Sequence, residues 1–322
     1  MEFKIYRFTI FQEIYGTKEG FLLEGEKTWS EVSPLPGRSW ESLSDVLQQL
    51  KAVQNGYQGP LFPSVEFGLF GLKAPRISEA PVCLFLNGSV QDILVQAKKN
   101  HGCTAAKLKI GKFDLPTALF LVKILKNTYR LRLDVGGAWS KNQLTDFLAH
   151  FTPQDFEFIE DPGFDISPFP MASDDQSLGS NLVSDCKNPC TYLCPDLPAG
   201  HSAEHAGIFE QAVKCERAAP QDKDGSKMHT DFCNQTLVWK PMVKGLPEKK
   251  AAVVLSSSYE SSIGIHQIAA LAQELEIPYH PLGIGTFLHL QNDLLQDPPF
   301  IREGKIYFPE EFHIKKEMVT QC

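Results

Sequence analysis

Residues 3–11 (FKIYRFTIF) alternate apolar and polar positions, the period of a strand with one covered face. Residues 20–32 (GFLLEGEKTWSEV) predict a second strand, and SPLPG at 33–37 predicts a turn. Trp40, Leu43, Val46, Leu47 and Leu50 recur at helical spacing behind Ser39, so a helix capped by that serine is expected. SVEFGLFGL at 64–72 predicts another helix, and together these segments make a small α+β unit.

From about residue 82 the pattern becomes strand then helix, repeatedly. Apolar runs at 82–88, 105–111, 130–136, 156–162, 180–185, 236–241, 251–258 and 277–285 read as strands. Amphipathic stretches fall between them, the first opened by a capping-box-like pair, Ser89 and Asp92. This grammar predicts an α/β chain with a (β/α)8 barrel at 82–288. A capping α+β unit at 1–81 would be joined by the tail at 289–322, and an insertion would occupy about 186–235. A doubly wound open sheet is the competing layout, but no G-x-G-x-x-G or Walker A run follows any strand.

Composition narrows the function classes. The 322 residues are 43% apolar and 22% charged, with a net charge of −8 and no basic tract, which argues against a nucleic-acid partner. The first residues carry no signal-peptide core, and the most apolar helical stretch is far too short to span a bilayer, so a cytoplasmic protein without a membrane partner is expected. Of eight cysteines, five crowd the insertion, and free thiols are the better reading. There Cys186, Cys190 and Cys194 precede His201 and His205, a soft-metal pattern without standard spacing.

Charge at the strand ends changes the picture most. Barrel chemistry sits at the C-terminal ends of the strands. Lys109, Asp134, Glu160 and Asp185 end four successive strands, separated by 25, 26 and 25 residues, and Lys240 ends the next. Three carboxylates from adjacent strands are hard oxygen ligands that suit Mg²⁺. A lysine on either side of the metal suits proton abstraction next to a carboxylate, with the metal stabilising the resulting anion. Lys107 shares a strand face with Lys109 and is expected to lower its pKa by like-charge repulsion.

These residues also carry a resemblance. SEVSPLPG and PSVEFGLFG in the first unit, and AKLKIG, LRLDVGGAW, FIEDP, VWKPMVKG and SSSYESSIG in the barrel, resemble the successive motifs of the enolase superfamily, and within it the o-succinylbenzoate synthase family. The likeness implies a capping domain, a modified barrel and a Mg²⁺-dependent syn dehydration. The substrate would be the small carboxylate 2-succinyl-6-hydroxy-2,4-cyclohexadiene-1-carboxylate, in menaquinone biosynthesis. Carried over by motif, Lys109 is the base, Lys107 supports it and Lys240 stabilises the anion from the opposite face. Asp134, Glu160 and Asp185 bind the metal. Arg132, Ser256 and Ser258 contact substrate, Arg132 by positioning the ring or Lys109.

Two departures stand out. The family's Asn two residues after the first aspartate is Gly136 here, and the D-E-S opening of the third ligand is Asp185-Cys186-Lys187. Asp175 has the more similar local sequence, but spacing and strand context select Asp185. An N-acylamino acid racemase or dipeptide epimerase on the same scaffold is the nearest alternative, and a non-catalytic barrel with a binding role the more distant one. The oligomeric state, monomer or homo-oligomer, is left undecided by the sequence.

Overall fold

The computed structural model describes residues 2–99, 102–162, 237–248, 253–277 and 280–322. The chain opens with an antiparallel hairpin, β1 (Lys4–Gln12) and β2 (Gly16–Glu24), followed by β3 (Trp29–Val32). The predicted strand at 20–32 is thus two strands: Gly25 donates to the Thr28 carbonyl at 2.9 Å, and the GEKT turn reverses the chain. Phe21, Leu22 and Leu23 are all buried because both faces of this sheet are covered. Phe21 and Leu23 pack with Val46, Leu50 and Val65 of α1 (Leu43–Gln54) and α2 (Pro63–Gly71). Leu22 packs on the other side with Phe8, Ile10 and Ile263.

The helix α1 begins later than its periodicity suggests. Ser42 and Asp45 make a reciprocal capping box, each side chain bonding the other's backbone N–H. Ser39 instead accepts from the Leu35 N–H at 3.0 Å and ties the preceding turn, and Trp40 is left 80% exposed.

After β4 (Glu79–Pro81) the parallel units begin. β5 (Cys83–Leu86), α3 (Val90–Lys99), β6 (Ala105–Lys109), α4 (Leu115–Leu125), β7 (Arg130–Asp134), α5 (Lys141–Leu148) and β8 (Phe158–Glu160) form a four-stranded parallel sheet in chain order. β9 (Leu237–Trp239) pairs in parallel with β10 (Val253–Leu255). Between them lies α6 (Pro241–Lys244), a single turn that fits the short gap before the serine run.

Among the described residues of the expected strand at 277–285, pairing takes the form of isolated parallel bridges, Ser256↔Gly283 and Val82↔Leu282. Its backbone still joins the two sheets: Gly283 N bonds Leu255 O at 2.8 Å, and Cys83 N bonds Leu282 O at 2.8 Å. The order in space is therefore β9, β10, residues 282–283, β5, β6, β7, β8. Phe158 of β8 meets Val238 of β9 and Val254 of β10 in one apolar cluster, so the two ends of this arc face a common interior. The predicted strand at 180–185 lies outside the described residues.

The tail returns to the first unit. β11 (Phe300–Arg302) and β12 (Lys305–Tyr307) extend onto β4, and β13 (Val319–Gln321) pairs with β1. Among the described residues, Cys83, Cys103 and Cys322 are free thiols, and no helix is long and apolar enough to cross a membrane.

The helix α7 (Ser262–Glu274) is buried along most of its length and carries His266 against the edges of Phe308 and Phe312. Its Nε2 accepts from the Ile77 N–H at 3.0 Å. Burial, with Arg76 nearby, pushes the imidazole pKa from 6.5 down to about 3. The folded state thus refuses a proton that the unfolded chain takes below pH 6.5. Stability from this group is present above pH 6.5 and is lost as pH falls towards 3. In urea unfolding, wild type is expected to lose about 3 kcal/mol more than His266→Gln between pH 7 and pH 4. Parallel losses in the two proteins would contradict this.

Candidate active site

The register of the parallel sheet brings the strand-end charges into one row. Lys109 is paired with Asp134, and Asp134 with Glu160, across three neighbouring strands. One layer deeper, Lys107 is paired with Arg132, and Arg132 with Phe158. The strands stop together because their ends are bound to one another: Ile110 N and Gly111 N both donate to Asp134 O, and Val135 N to Glu160 O. Gly111 is required there, since a Cβ would lie 1.8 Å from the Val135 carbonyl oxygen.

Lys107, Lys109, Asp134, Glu160, Lys240, Ser256 and Ser258 line one cavity of about 390 Å³, within the range of small-molecule sites. Lys240 follows β9 and starts α6, which carries it to the rim from the opposite end of the strand arc. Five wall residues come from the first unit: Tyr15 at the β1–β2 turn, Leu35, Pro36 and Gly37 of the SPLPG turn, and Arg38 just after it. The quoted SPLPG motif signalled its part; nothing in the sequence marked Tyr15.

Asp134 and Glu160 are 6% and 4% exposed, and one cation serves both: Lys107 Nζ lies 2.9 Å from Asp134 Oδ2 and 2.5 Å from Glu160 Oε2. Burial opposes the Lys107 charge, but Glu160 and Asp134 outweigh it and hold the ammonium well above the ordinary lysine range. The structure gives Lys107 a second role: its charge is met by two carboxylates, and it anchors both. Lys112 is the lysine that feels Lys109: burial and then the Lys109 charge lower its pKa.

Arg132 also departs from expectation. Its Nε bonds Glu157 Oε2 at 2.8 Å, its Nη1 bonds the Pro281 carbonyl at 2.8 Å, and it is absent from the cavity wall. Its guanidinium is taken up by Glu157 and the Pro281 carbonyl, so Arg132 braces the strands beside the site.

Ser256 and Ser257 both donate to the Gly283 carbonyl, and Ser257 also pairs with Thr286 at 2.5 Å. Ser258 Oγ is buried and, among the described residues, has no hydrogen-bond partner. Gly136 has φ +58°, a left-handed conformation that Asn also tolerates, and a Cβ there would lie 3.7 Å from Asp134 Oδ1. The family's asparagine therefore has room at this position. Asp185 and Asp175 lie outside the described residues, as does the Cys/His-rich insertion. Among the described residues no three His, Cys, Asp or Glu side chains come together as metal ligands.

The donor chemistry fits a hard divalent cation. Among the described residues, two buried carboxylates on neighbouring strands share the Lys107 ammonium and offer the hard oxygen donors that such an ion takes. The arrangement places a lysine on each side of that acidic pair, suited to moving a proton at a carbon next to a carboxylate.

No protein-family model matches the chain. Curated relatives named o-succinylbenzoate synthase do. That of Shigella boydii is 31% identical over 290 residues, covering 80% of this chain and 79% of the relative. That of Vibrio cholerae is 26% identical over 300 residues, covering 84% and 82%. Among solved structures, the o-succinylbenzoate synthase of Thermosynechococcus elongatus, complexed with Mg in its active site, superposes with a TM-score of 0.57 at 18% identity, covering 91% of this chain and 94% of that one. The L-Ala-D/L-Glu epimerase of Bacillus subtilis gives a TM-score of 0.61 at 12% identity, covering 97% of each chain. These structural likenesses show the fold, a mixed α/β architecture with its parallel sheet.

Proposed function

The chain belongs to the o-succinylbenzoate synthase family of the enolase superfamily, and from that membership and the cavity we propose that it dehydrates 2-succinyl-6-hydroxy-2,4-cyclohexadiene-1-carboxylate to 2-succinylbenzoate. It is an enzyme, a carbon–oxygen lyase. The observation that carries the reading is the row Lys109–Asp134–Glu160 with Lys240 in the same cavity wall.

Asp134 and Glu160, with Asp185 as the proposed third ligand, would hold Mg²⁺. The bound ion would stabilise the negative charge that develops on the substrate carboxylate. Lys109, as the neutral amine, takes the proton from the carbon bearing that carboxylate. Lys240, as the ammonium, faces the developing anion from the other side. Lys109 then returns its proton to the departing hydroxyl on the same face. One C–H bond and one C–O bond break, the ring gains a double bond and becomes aromatic, and water leaves. Lys107 holds the two carboxylates in place. Ser256 and Ser258 line the substrate pocket. The product feeds menaquinone biosynthesis in this reading.

Two substrates offered separately test the assignment. With Mg²⁺, the purified protein is expected to consume the cyclohexadiene carboxylate and to leave an N-succinylamino acid unracemised. Turnover of the N-succinylamino acid alone would move the chain to the racemase alternative.

A further inference from the structure

The backbone at Tyr259 is left-handed, φ +65°, which is unfavourable for a bulky side chain and persists only where surrounding contacts enforce it. Those contacts are visible, and they come from the other end of the sequence. Both backbone groups of the preceding residue are captured by buried side chains. Lys18 Nζ donates to Ser258 O at 2.5 Å, and Ser258 N donates to Glu260 Oε2 at 2.5 Å. Gln12 Nε2 donates to the carbonyls of Tyr259 and Glu260, each at 3.4 Å. Lys18 is 1% exposed and Glu260 0%. Glu31, also fully buried, accepts from Ser261 N and Gly264 N, at 3.0 and 3.1 Å, and fixes the start of α7 just beyond. Burial lowers the Lys18 ammonium's pKa, and Glu260 and Glu31 act against that.

The outcome is an aromatic pair in the cavity wall. Tyr15 and Tyr259 stack with ring centroids 4.9 Å apart and planes at 17°. Both line the cavity, Tyr15 from the first unit and Tyr259 from the loop that follows β10. A single hairpin thus supplies Gln12 and Lys18, which hold the loop, and Tyr15, which meets its ring.

We propose that Tyr259 is a specificity-determining residue, its ring forming with Tyr15 the flat wall against which the organic part of the substrate packs away from its reacting carboxylate, and that Lys18 with Glu260 is its positioning pair. This rests on the synthase reading for the identity of the ligand, and on the geometry alone for the wall.

The test measures binding of 2-succinylbenzoate by calorimetry in Mg²⁺ buffer, with turnover and thermal unfolding beside it. Tyr259→Gly is expected to weaken binding and raise KM about tenfold, as for loss of one aromatic contact, while kcat stays within about threefold. Its Tm should be unchanged or raised, since glycine takes φ +65° freely. Tyr259→Phe, which keeps the ring, should bind within about twofold of wild type. Lys18→Met alone leaves buried carboxylates without their cation, so it is made together with Glu260→Gln; this pair should reproduce the binding defect of Tyr259→Gly. Wild-type affinity in Tyr259→Gly, or an equal loss in Tyr259→Phe, overturns the wall. Tyr259-dependent binding without turnover sinks the synthase reading and leaves the wall standing. No binding by wild type overturns both.

Discussion

Lys109→Ala is expected to lower kcat on the cyclohexadiene substrate by about 10³–10⁴-fold, the contribution of a well-placed general base. The same substitution should leave the fold intact. Lys109 ends β6 with a half-buried side chain, and the buried pairing beneath it belongs to Lys107. Truncating it exposes no uncompensated charge, so the change in stability should stay within about 0.5 kcal/mol. Lys109→Arg should be as inactive as the alanine variant, because a guanidinium does not give up its proton. Steady-state kinetics beside urea unfolding separates this from a folding defect. An alanine variant that keeps a tenth or more of wild-type turnover would remove Lys109 from the base role.

Lys107→Met should fail in the opposite way, through stability first. The ammonium lies between two carboxylates that are almost wholly inaccessible to water. Removing one partner of such a cluster leaves buried charge uncompensated, at a cost of about 3 kcal/mol after allowance for the partial exposure of Lys107. A divalent cation held by the same carboxylates would offset that loss. In the absence of Mg²⁺ the variant is therefore expected to unfold well below wild type, and on adding Mg²⁺ its Tm should rise by more than that of wild type. Thermal unfolding with and without Mg²⁺ reads this directly and needs no substrate. Equal Mg²⁺ shifts in the two proteins would contradict the assignment of Asp134 and Glu160 as the metal-holding pair.

The parts of the site that follow from local pattern were legible in the sequence. Lys109, Asp134 and Glu160 end apolar strands at the spacing of one strand–helix unit, and parallel pairing turns that spacing into one register row. Alternation correctly put Lys107 and Lys109 on one face. It could not say what each would touch, since a strand face fixes direction and not partner. Lys107 is paired with Asp134 and Glu160, and Arg132 with Glu157 and the Pro281 carbonyl, contacts that no local pattern announces.

Other features depend on contacts far apart in the chain. Lys18 and Ser258 are separated by 240 positions, and no local pattern links them. A lysine in a strand that also holds Phe21, Leu22 and Leu23 reads as an ordinary exposed position until the loop it binds is in place. Competition between two nearby caps decided the start of α1, where Ser42 with Asp45 satisfies more backbone donors than Ser39 does. The segment at 277–285 reads as a strand from its apolar residues, and among its described residues the ladder consists of isolated bridges to Val82 and Ser256.

Everything proposed for this cavity turns on Lys109 acting as the base of a dehydration. The most direct measurement incubates purified wild type and Lys109→Ala with the cyclohexadiene carboxylate and Mg²⁺, and follows the appearance of 2-succinylbenzoate. Conversion by wild type and its loss in the variant are expected. Wild-type conversion no greater than that of Lys109→Ala would contradict that role.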